Sequence, residues 1–205
     1  MVAHPTESIG RRSLADALFN AWAEPDSAAA RARTAVGTAL LSDGPRPELA
    51  NRLELFGQFV GSWDLDVTAF PANGEPVRET GEWYFGWALD GRAIIDVWVC
   101  PRRDLRLRRP DAGDHGVTLR FFDPDIDAWR STWIGPVRRV VQPFVARQIG
   151  DEIVLAGSFA ADVETRWVFS EITEHSFHWR HETSSDGWNT RSLHLEMHAT
   201  RQAES

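Results

Sequence analysis

The stretch WYFGWALDGRAIIDVWV, residues 83–99, decides the fold, because a turn signal divides its aromatic and apolar residues into two halves. Asp90-Gly91 is the sequence of a two-residue type I′ turn, which joins two antiparallel strands. With that loop length Phe85 faces Asp96 across the hairpin, and both lie on the same face of the sheet. The stretch therefore predicts a β-hairpin with a carboxylate beside an aromatic ring.

One face of this hairpin is much more aromatic than the other, and in a small ligand-holding barrel we expect it to face the interior. Asp96 is then a carboxylate inside an aromatic environment, where an unpaired charge is costly. It either pairs with a nearby arginine to hold the strand register or supplies the chemistry of a pocket, and both roles remain open. The face consists of Trp83, Phe85, Trp87, Ile94, Asp96 and Trp98.

From residue 59 onward apolar residues recur at every second position, which is the period of a β-strand. Turn signals such as PANGEP and DPDID separate the strand candidates, and no helical pattern lies between them. This arrangement predicts an antiparallel up-and-down meander, and about eight to ten strands can close into a barrel. The candidates are 62–70, 77–89, 92–100, 116–122, 128–134, 141–149, 152–159, 164–170, 176–184 and 188–199.

Residues 1–57 carry helical patterns, and we assign them to an N-terminal helical extension ahead of a barrel domain at 58–201. SLADALFNAWAE begins with Ser13 as its cap, and PDSAAARARTAVGTALL restarts after Pro25. PELANRLELF places Pro47 at a first-turn position. These helices are expected either to plug one end of the barrel or to form the contact of a homodimer.

The segment FGQFVGSWDLDV, residues 56–67, resembles the start of a lipocalin or calycin barrel, in which a short helical turn leads into Gly-x-Trp on the first strand. Gly61-Ser62-Trp63 is that motif in this chain. The segments DGRAIIDVW, TLRFFDPDIDAWRSTW, SFHWRHETSSDG and EMHATR are also similar to those of bacterial lipocalin-like domains. The resemblance covers residues 55–201.

Barrels of this family hold a small, largely apolar molecule, so the resemblance implies a cavity but does not choose between binding and catalysis. Some calycin-fold relatives are hydratases, decarboxylases or cyclases, and others bind haem. The haem-binding relatives start with Gly-x-Trp-x-Gly-x-Gly, whereas Leu65 and Val67 occupy the later glycine positions here. Haem binding is therefore the lesser alternative, and we expect no cofactor.

The middle hairpin does not settle which way Arg120 points, because its loop has five or six residues. Arg120 either shares a face with Trp129 and Trp133 or opposes them. On the shared face it would pair with Asp96 and clamp an acid or enol oxygen of a ligand.

The last hairpin is equally open. A two-residue loop at Asp186-Gly187 would set Trp179 opposite His194 and bring His181 and Glu196 into the interior. A bulge would instead turn the polar residues outward, which the half-buried alternation of SLHLEMHA also fits. The interior alternative demands full pairing of three ionisable groups.

Composition excludes several function classes. All 22 basic residues are arginine, which excludes a Schiff-base lysine and a P-loop, and the net charge of −8 argues against binding to nucleic acid or an anionic membrane. The single cysteine, Cys100, excludes an intrachain disulfide, and the histidine spacing shows no metal-ligand pattern. No apolar run approaches about 18 residues and no signal-peptide core is present, so we expect a soluble cytoplasmic protein.

We therefore expect a mainly β, antiparallel lipocalin-like barrel of about 8–10 strands that binds a small apolar, aromatic or polycyclic molecule. Asp96, desolvated by aromatic rings, would be the acid or base of a cofactor-free lyase, isomerase or cyclase, with Arg120 and His181 orienting a polar substituent. A non-catalytic carrier or sensor barrel is the alternative. The expected ligand-binding residues are Trp63, Trp83, Phe85, Trp87, Trp98, Trp129, Trp133, Trp167, Trp179, His194 and Glu196.

Overall fold

The computed structural model of the protein describes residues 27–109, 111–160 and 162–203. The chain divides into two compact units, residues 1–40 and 41–205. In the first unit the helix predicted after Pro25 is α1 (Ala28–Leu40), and the Ser27 hydroxyl accepts a hydrogen bond from the Ala30 backbone N–H at 3.0 Å as its cap. The helix predicted at 13–24 lies outside the described residues.

The second unit is a closed antiparallel barrel of ten strands, β2 to β11, in which each strand pairs with the next along the chain and β11 pairs back with β2. The short strand β1 adds two residues to the edge of β3. The predicted up-and-down meander is confirmed. The strands are β1 (Leu41–Ser42), β2 (Gly61–Ala69), β3 (Val77–Ala88), β4 (Ala93–Cys100), β5 (Asp114–Asp123), β6 (Ala128–Gly135), β7 (Val140–Ile149), β8 (Glu152–Ala160), β9 (Val163–Ser170), β10 (Ser176–Ser184) and β11 (Ser192–Arg201).

The predicted register of the β3–β4 hairpin is confirmed. Phe85 pairs with Asp96 across the two strands, as the two-residue turn required. Asp90 and Gly91 both have positive φ angles, 57° and 70°, and the N–H of the residue after them bonds back to the Leu89 carbonyl at 3.1 Å. These are the features of a type I′ turn, which matches the twist of the strands it joins.

A 3₁₀ turn (Pro47–Leu49) and helix α2 (Ala50–Gly57) close one end of the barrel. Leu53 and Phe56 of α2 are fully buried in the core, together with Phe59 just after it. The Phe56 ring lies 4.9 Å from the Trp129 ring, edge to face. The segment 41–57 therefore packs with the barrel although the sequence pattern assigned it to the extension. In the described part of the chain no helix is long and apolar enough to cross a membrane.

We call the end that holds α2 the closed end, and the opposite end the open end. The alternation of strand directions places the β3–β4 turn at the closed end and the β2–β3, β4–β5 and β10–β11 connections at the open end. The β4–β5 connection carries the single-turn helix α3 (Arg103–Arg106).

Arg201, at the end of β11, ties the last strand to the closed end. Its guanidinium donates hydrogen bonds to the backbone carbonyls of Gln58 (2.7 Å), Val60 (2.8 Å) and Glu174 (2.7 Å). The same group lies 4.1 Å above the ring centroid of Trp63, a cation–π contact. One side chain thus joins the α2–β2 turn, the β9–β10 loop and the first barrel strand.

The Gly-x-Trp motif is built around this arginine. Gly61 has a φ of 131°, and a Cβ at this position would lie 2.7 Å from the Arg201 Nη1 atom, so a side chain there would displace the guanidinium. Trp63 is fully buried and its indole N–H donates to the Phe59 carbonyl at 2.7 Å. The motif therefore has a packing role at the closed end.

We expect Arg201→Gln to lower the free energy of unfolding by roughly 2–4 kcal/mol, because three backbone carbonyls lose a charged donor and Trp63 loses its cation. Urea denaturation followed by tryptophan fluorescence measures the change. The control is Arg92→Gln in the exposed β3–β4 turn, for which we expect a change within about 0.5 kcal/mol. Equal losses in the two variants would contradict the bridging role of Arg201.

Candidate functional site

Asp96 lies inside the barrel and is fully buried. The indole N–H of Trp83 donates to one of its carboxylate oxygens at 2.6 Å, and the Arg120 guanidinium donates to the other through Nη2. Trp83 lies on β3, Asp96 on β4 and Arg120 on β5, so three consecutive strands build this centre. Both carboxylate oxygens already have a donor within the protein.

The strand register explains why Arg120 points inward. Across β5 and β6, Arg120 pairs with Ser131, and the pairs on either side of it place Trp129 and Trp133 on the same face. Across β4 and β5, Arg120 lies opposite Ile94, which is also buried. Of the two orientations left open by the sequence, the structure shows the interior one.

Aromatic rings surround the buried guanidinium. The Arg120 Cζ atom lies 4.6 Å from the Phe56 ring centroid and 5.7 Å from that of Phe85. Burial raises the pKa of Asp96, while Arg120 and the Trp83 N–H act in the opposite direction. Burial likewise lowers the pKa of Arg120, and the Asp96 carboxylate opposes that change. Each partner is therefore the main compensation for the desolvation of the other.

Several buried polar atoms of the barrel interior have no hydrogen-bond partner within the described part of the protein. Two are the Nε and Nη1 atoms of Arg120, and two are the indole nitrogens of Trp98 and Trp179. Another is the Ser131 hydroxyl, whereas the Thr118 hydroxyl lies beside Asp96 and lowers the pKa of that carboxyl as a hydrogen-bond donor. Since an unpaired buried polar group costs about 1–3 kcal/mol, the unpaired atoms form a set that a guest molecule can satisfy. We call these atoms, without the Thr118 hydroxyl, the donor cluster.

Four inward-facing side chains in the open half of the barrel are only partly buried. Trp98, Trp167, His181 and Leu195 face inward by their strand pairing, yet each is only half-buried. We call these four residues the mouth.

Three of the predicted ligand-binding tryptophans lie at the closed end instead. The segment 47–59 fills the closed end, and we call it the plug. Trp63 and Trp129 are fully buried against its Phe59 and Phe56 rings, respectively. The Trp87 ring lies against α2, where a Cβ on Gly57 would come within 2.6 Å of it. Sequence alternation identified the inward face of each strand but not the depth at which each ring lies. Of the other predicted residues, Trp83, Phe85, Trp133 and Trp179 are buried in the middle of the barrel.

Of the two alternatives left open for the last hairpin, the structure does not show the two-residue loop and its register. Trp179 lies opposite Met197, not His194, and Glu196 pairs with Arg180 on the outer face of the barrel. The connection at 185–191 is seven residues long rather than two. Its Asp186 side chain accepts hydrogen bonds from neighbouring loop groups, which stabilises a long loop in place of a tight turn. Glu196 is therefore not an interior residue.

His181 does face the interior, at the mouth. Its Nε2 atom lies 3.0 Å from the Thr165 hydroxyl, a residue that the sequence analysis missed although it alternates in phase with Trp167. The register shifts between His181 and Glu182 of β10, so His194 of β11 has no partner residue in β10. The exposed His194 ring lies 5.1 Å from the His181 ring and 2.7 Å from the Thr183 hydroxyl. Burial and His194 lower the pKa of His181 to about 4, so its imidazole is neutral at pH 7.

Two arginines of the β4–β5 connection, Arg102 and Arg103, form ion pairs with carboxylates on the outer face of the barrel. Arg102 contacts Asp64 at 2.5 Å and Glu82 at 3.2 Å, and Arg103 contacts Glu82 at 3.1 Å. Arg109 instead contacts Glu79 at 2.8 Å, and Glu79 lies on the inner face of β3, opposite Val67. Glu82 is buried, so it anchors this connection at the open end, a role that the sequence analysis did not identify.

A polar groove of about 650 Å³ lies on the outer face of β8 to β11. Arg180 crosses it and contacts Glu152 at 3.0 Å and Glu182 at 3.1 Å. Arg191 also reaches Glu182, at 3.3 Å. The charged groups of the groove thus satisfy one another, unlike the donor cluster inside the barrel.

The described residues show no group of three His, Cys, Asp or Glu side chains that could hold a metal ion. Cys100 is buried at the end of β4, and burial raises the pKa of its thiol to about 12. A thiol with this pKa is protonated at pH 7 and is a poor nucleophile.

No protein-family model and no curated protein matches the chain. Among solved structures, the chain is similar to the S-type phycobiliprotein lyase CPES from Guillardia theta, with 11% identity and a TM-score of 0.47 over 74% of this chain and 93% of that one. It is also similar to Rv2717c from M. tuberculosis, with 12% identity and a TM-score of 0.46 over 78% of this chain and 99% of that one. Similarity at this level says nothing about ligand or activity.

The lowered pKa of His181 predicts a loss of stability in mild acid. Between about pH 6.5 and pH 4 the unfolded chain binds a proton that the folded protein does not, so stability falls as the pH decreases through this window. From pH 7.5 to 5 this one group accounts for a loss of about 2 kcal/mol. We expect His181→Gln to lose about 2 kcal/mol less than the wild type over that range, measured by urea denaturation at both pH values. The exposed His175→Gln variant is the control, and a wild-type pH dependence in His181→Gln would contradict the assignment.

The burial of the Asp96–Arg120 pair predicts how its single and double variants change the free energy of unfolding. Asp96→Asn leaves the Arg120 charge buried without its counter-ion, and we expect a loss of roughly 3–5 kcal/mol. The double variant Asp96→Leu/Arg120→Met removes both charges, and we expect its stability to lie within about 2 kcal/mol of the wild type or above it. Chemical denaturation followed by circular dichroism measures both. A double variant as unstable as Asp96→Asn would show that the pair itself holds the barrel together.

Proposed function

We propose that the protein binds a small, largely apolar aromatic molecule in the open half of the barrel. The observation that supports this most directly is the donor cluster, which lies in the barrel interior and has no partners within the described protein. Hydrogen-bonding groups of this kind, placed in an otherwise apolar interior, are typical of small-molecule sites.

The aromatic walls favour a flat ligand. The Trp167 ring lies 5.9 Å from that of Trp133 and 5.3 Å from that of Trp179, and the Trp98 and Trp133 rings are 6.2 Å apart. All three contacts are edge to face. Aromatic pairs contribute about 0.5–1.5 kcal/mol beyond the burial of area, so a planar aromatic ligand gains most from such walls.

The energetics of the Asp96–Arg120 pair also support a binding role. Replacing a buried ion pair by apolar residues is often neutral or stabilising, so stability alone gives little reason to place one inside a barrel. Arg120 uses only Nη2 for the pair and leaves Nε and Nη1 unbonded. The pair therefore holds a charged donor in a dry site, where its hydrogen bonds to a ligand are strong.

A lyase, isomerase or cyclase activity is the more specific form of this proposal. Its support is the burial of Asp96, which raises the pKa of the carboxyl and suits it to proton transfer. Both Asp96 oxygens accept hydrogen bonds from Trp83 and Arg120, so a proton transfer would have to proceed with one of these bonds exchanged for substrate. Arg120 and His181 would orient the polar substituent in such a reaction. A carrier or sensor can bind its ligand without breaking either hydrogen bond of Asp96. Binding without catalysis is therefore the function that the geometry supports best.

Binding is tested with N-phenyl-1-naphthylamine, a neutral aromatic dye whose fluorescence increases in an apolar site. We expect saturable binding to the full chain with energy transfer from tryptophan. Trp167→Leu should weaken it by about tenfold, because the mouth loses an aromatic wall. The control is Phe121→Leu on the outer face of β5, where the side chain is 44% exposed. If Phe121→Leu weakens binding and Trp167→Leu does not, the dye binds outside the barrel and the proposal fails.

A further inference from the structure

We infer that the ligand presents neutral oxygen acceptors, such as the carbonyls of an aromatic ketone or quinone, rather than a carboxylate. This inference rests on the proposed binding site in the open half of the barrel. It follows from the chemistry of the donor cluster, from its charge balance and from the strands that carry it.

The donor cluster contains hydrogen-bond donors in excess. The Arg120 Nε and Nη1 groups and the indole N–H groups of Trp98 and Trp179 can only donate. The Ser131 hydroxyl can donate or accept, and the cluster includes no group that can only accept. A complementary ligand therefore has several acceptor atoms and little need for donors.

The charge of the site is already balanced. Asp96 contacts Arg120 directly, and both are almost completely buried. A ligand carboxylate beside Arg120 would be a second anion against one cation in a dry site, where like charges and desolvation both disfavour it. His181 supplies no second positive charge, since its imidazole is neutral at pH 7. Neutral acceptors satisfy the free N–H groups without this cost.

The donors lie on opposite walls of the barrel. Arg120 is on β5 and Trp179 on β10, and the order of strands places five steps between them in either direction around the ten-stranded ring. A ligand that reaches both walls needs acceptors on two of its edges. A planar tricyclic quinone, with a carbonyl on each of two opposite edges, has this form.

Three probes of one ring system test the inference on the full chain: 9,10-anthraquinone, anthracene and anthracene-9-carboxylate, each titrated against tryptophan fluorescence. We expect anthraquinone to bind about tenfold more tightly than anthracene, although it is the less hydrophobic molecule, and the carboxylate to bind no more tightly than anthracene. Anthracene binding as tight as that of anthraquinone overturns the inference and leaves the proposed function standing. Tightest binding of the carboxylate also overturns it, and no binding of any probe overturns the proposed function as well.

A conservative variant separates hydrogen bonding from packing. Trp98→Phe keeps an aromatic ring and removes one free indole N–H, so we expect it to weaken anthraquinone binding by about three- to tenfold and to leave anthracene binding unchanged. The matched control is Trp167→Phe, which changes a wall residue outside the donor cluster and should affect the two probes alike. Equal effects of Trp98→Phe on both probes would overturn the hydrogen-bonding role of Trp98. Circular dichroism of each variant verifies that the barrel is folded.

Discussion

Closure of the sheet through the pairing of β11 with β2 is the constraint on which the site depends. Once the ring is closed, one face of every strand is removed from bulk solvent except through the barrel ends, and α2 fills one of these ends. Any polar side chain on the inner face must then find its partner inside the barrel. The Asp96–Arg120 pair is the result, with Trp83 completing the coordination of the carboxylate.

The two ends of the barrel differ in how tightly they are packed. The closed end is packed with phenylalanine and tryptophan rings and held by Arg201, which bonds three backbone carbonyls. The unpaired donors lie in the interior between the two ends, and the half-buried rings of the mouth lie toward the open end. Unsatisfied groups of this kind lower stability, so a well-packed closed end offsets their cost.

The sequence predicted the register of the β3–β4 hairpin but left that of the β10–β11 hairpin open, and the difference lies in their loops. The β3–β4 turn is two residues long, and its Asp-Gly pair specifies both the turn type and the register, so the position of Asp96 opposite Phe85 followed directly. The β10–β11 connection contains a similar Asp-Gly pair, but Asp186 instead organises a seven-residue loop, and a bulge follows in the strand. Side-chain facing reverses with each one-residue shift of register, which is why Glu196 lies outside the barrel.

Sequence by itself determined the period of the strands, the turn of the central hairpin and the aromatic face that carries Asp96, because these are properties of neighbouring residues. Only the tertiary structure decided that Arg120 is the partner of Asp96, since the β5–β6 loop length left its facing open. It also decided which tryptophans belong to the plug and which to the mouth. That division depends on where α2 docks, and the docking is set by shape and burial across the whole barrel rather than by any local pattern.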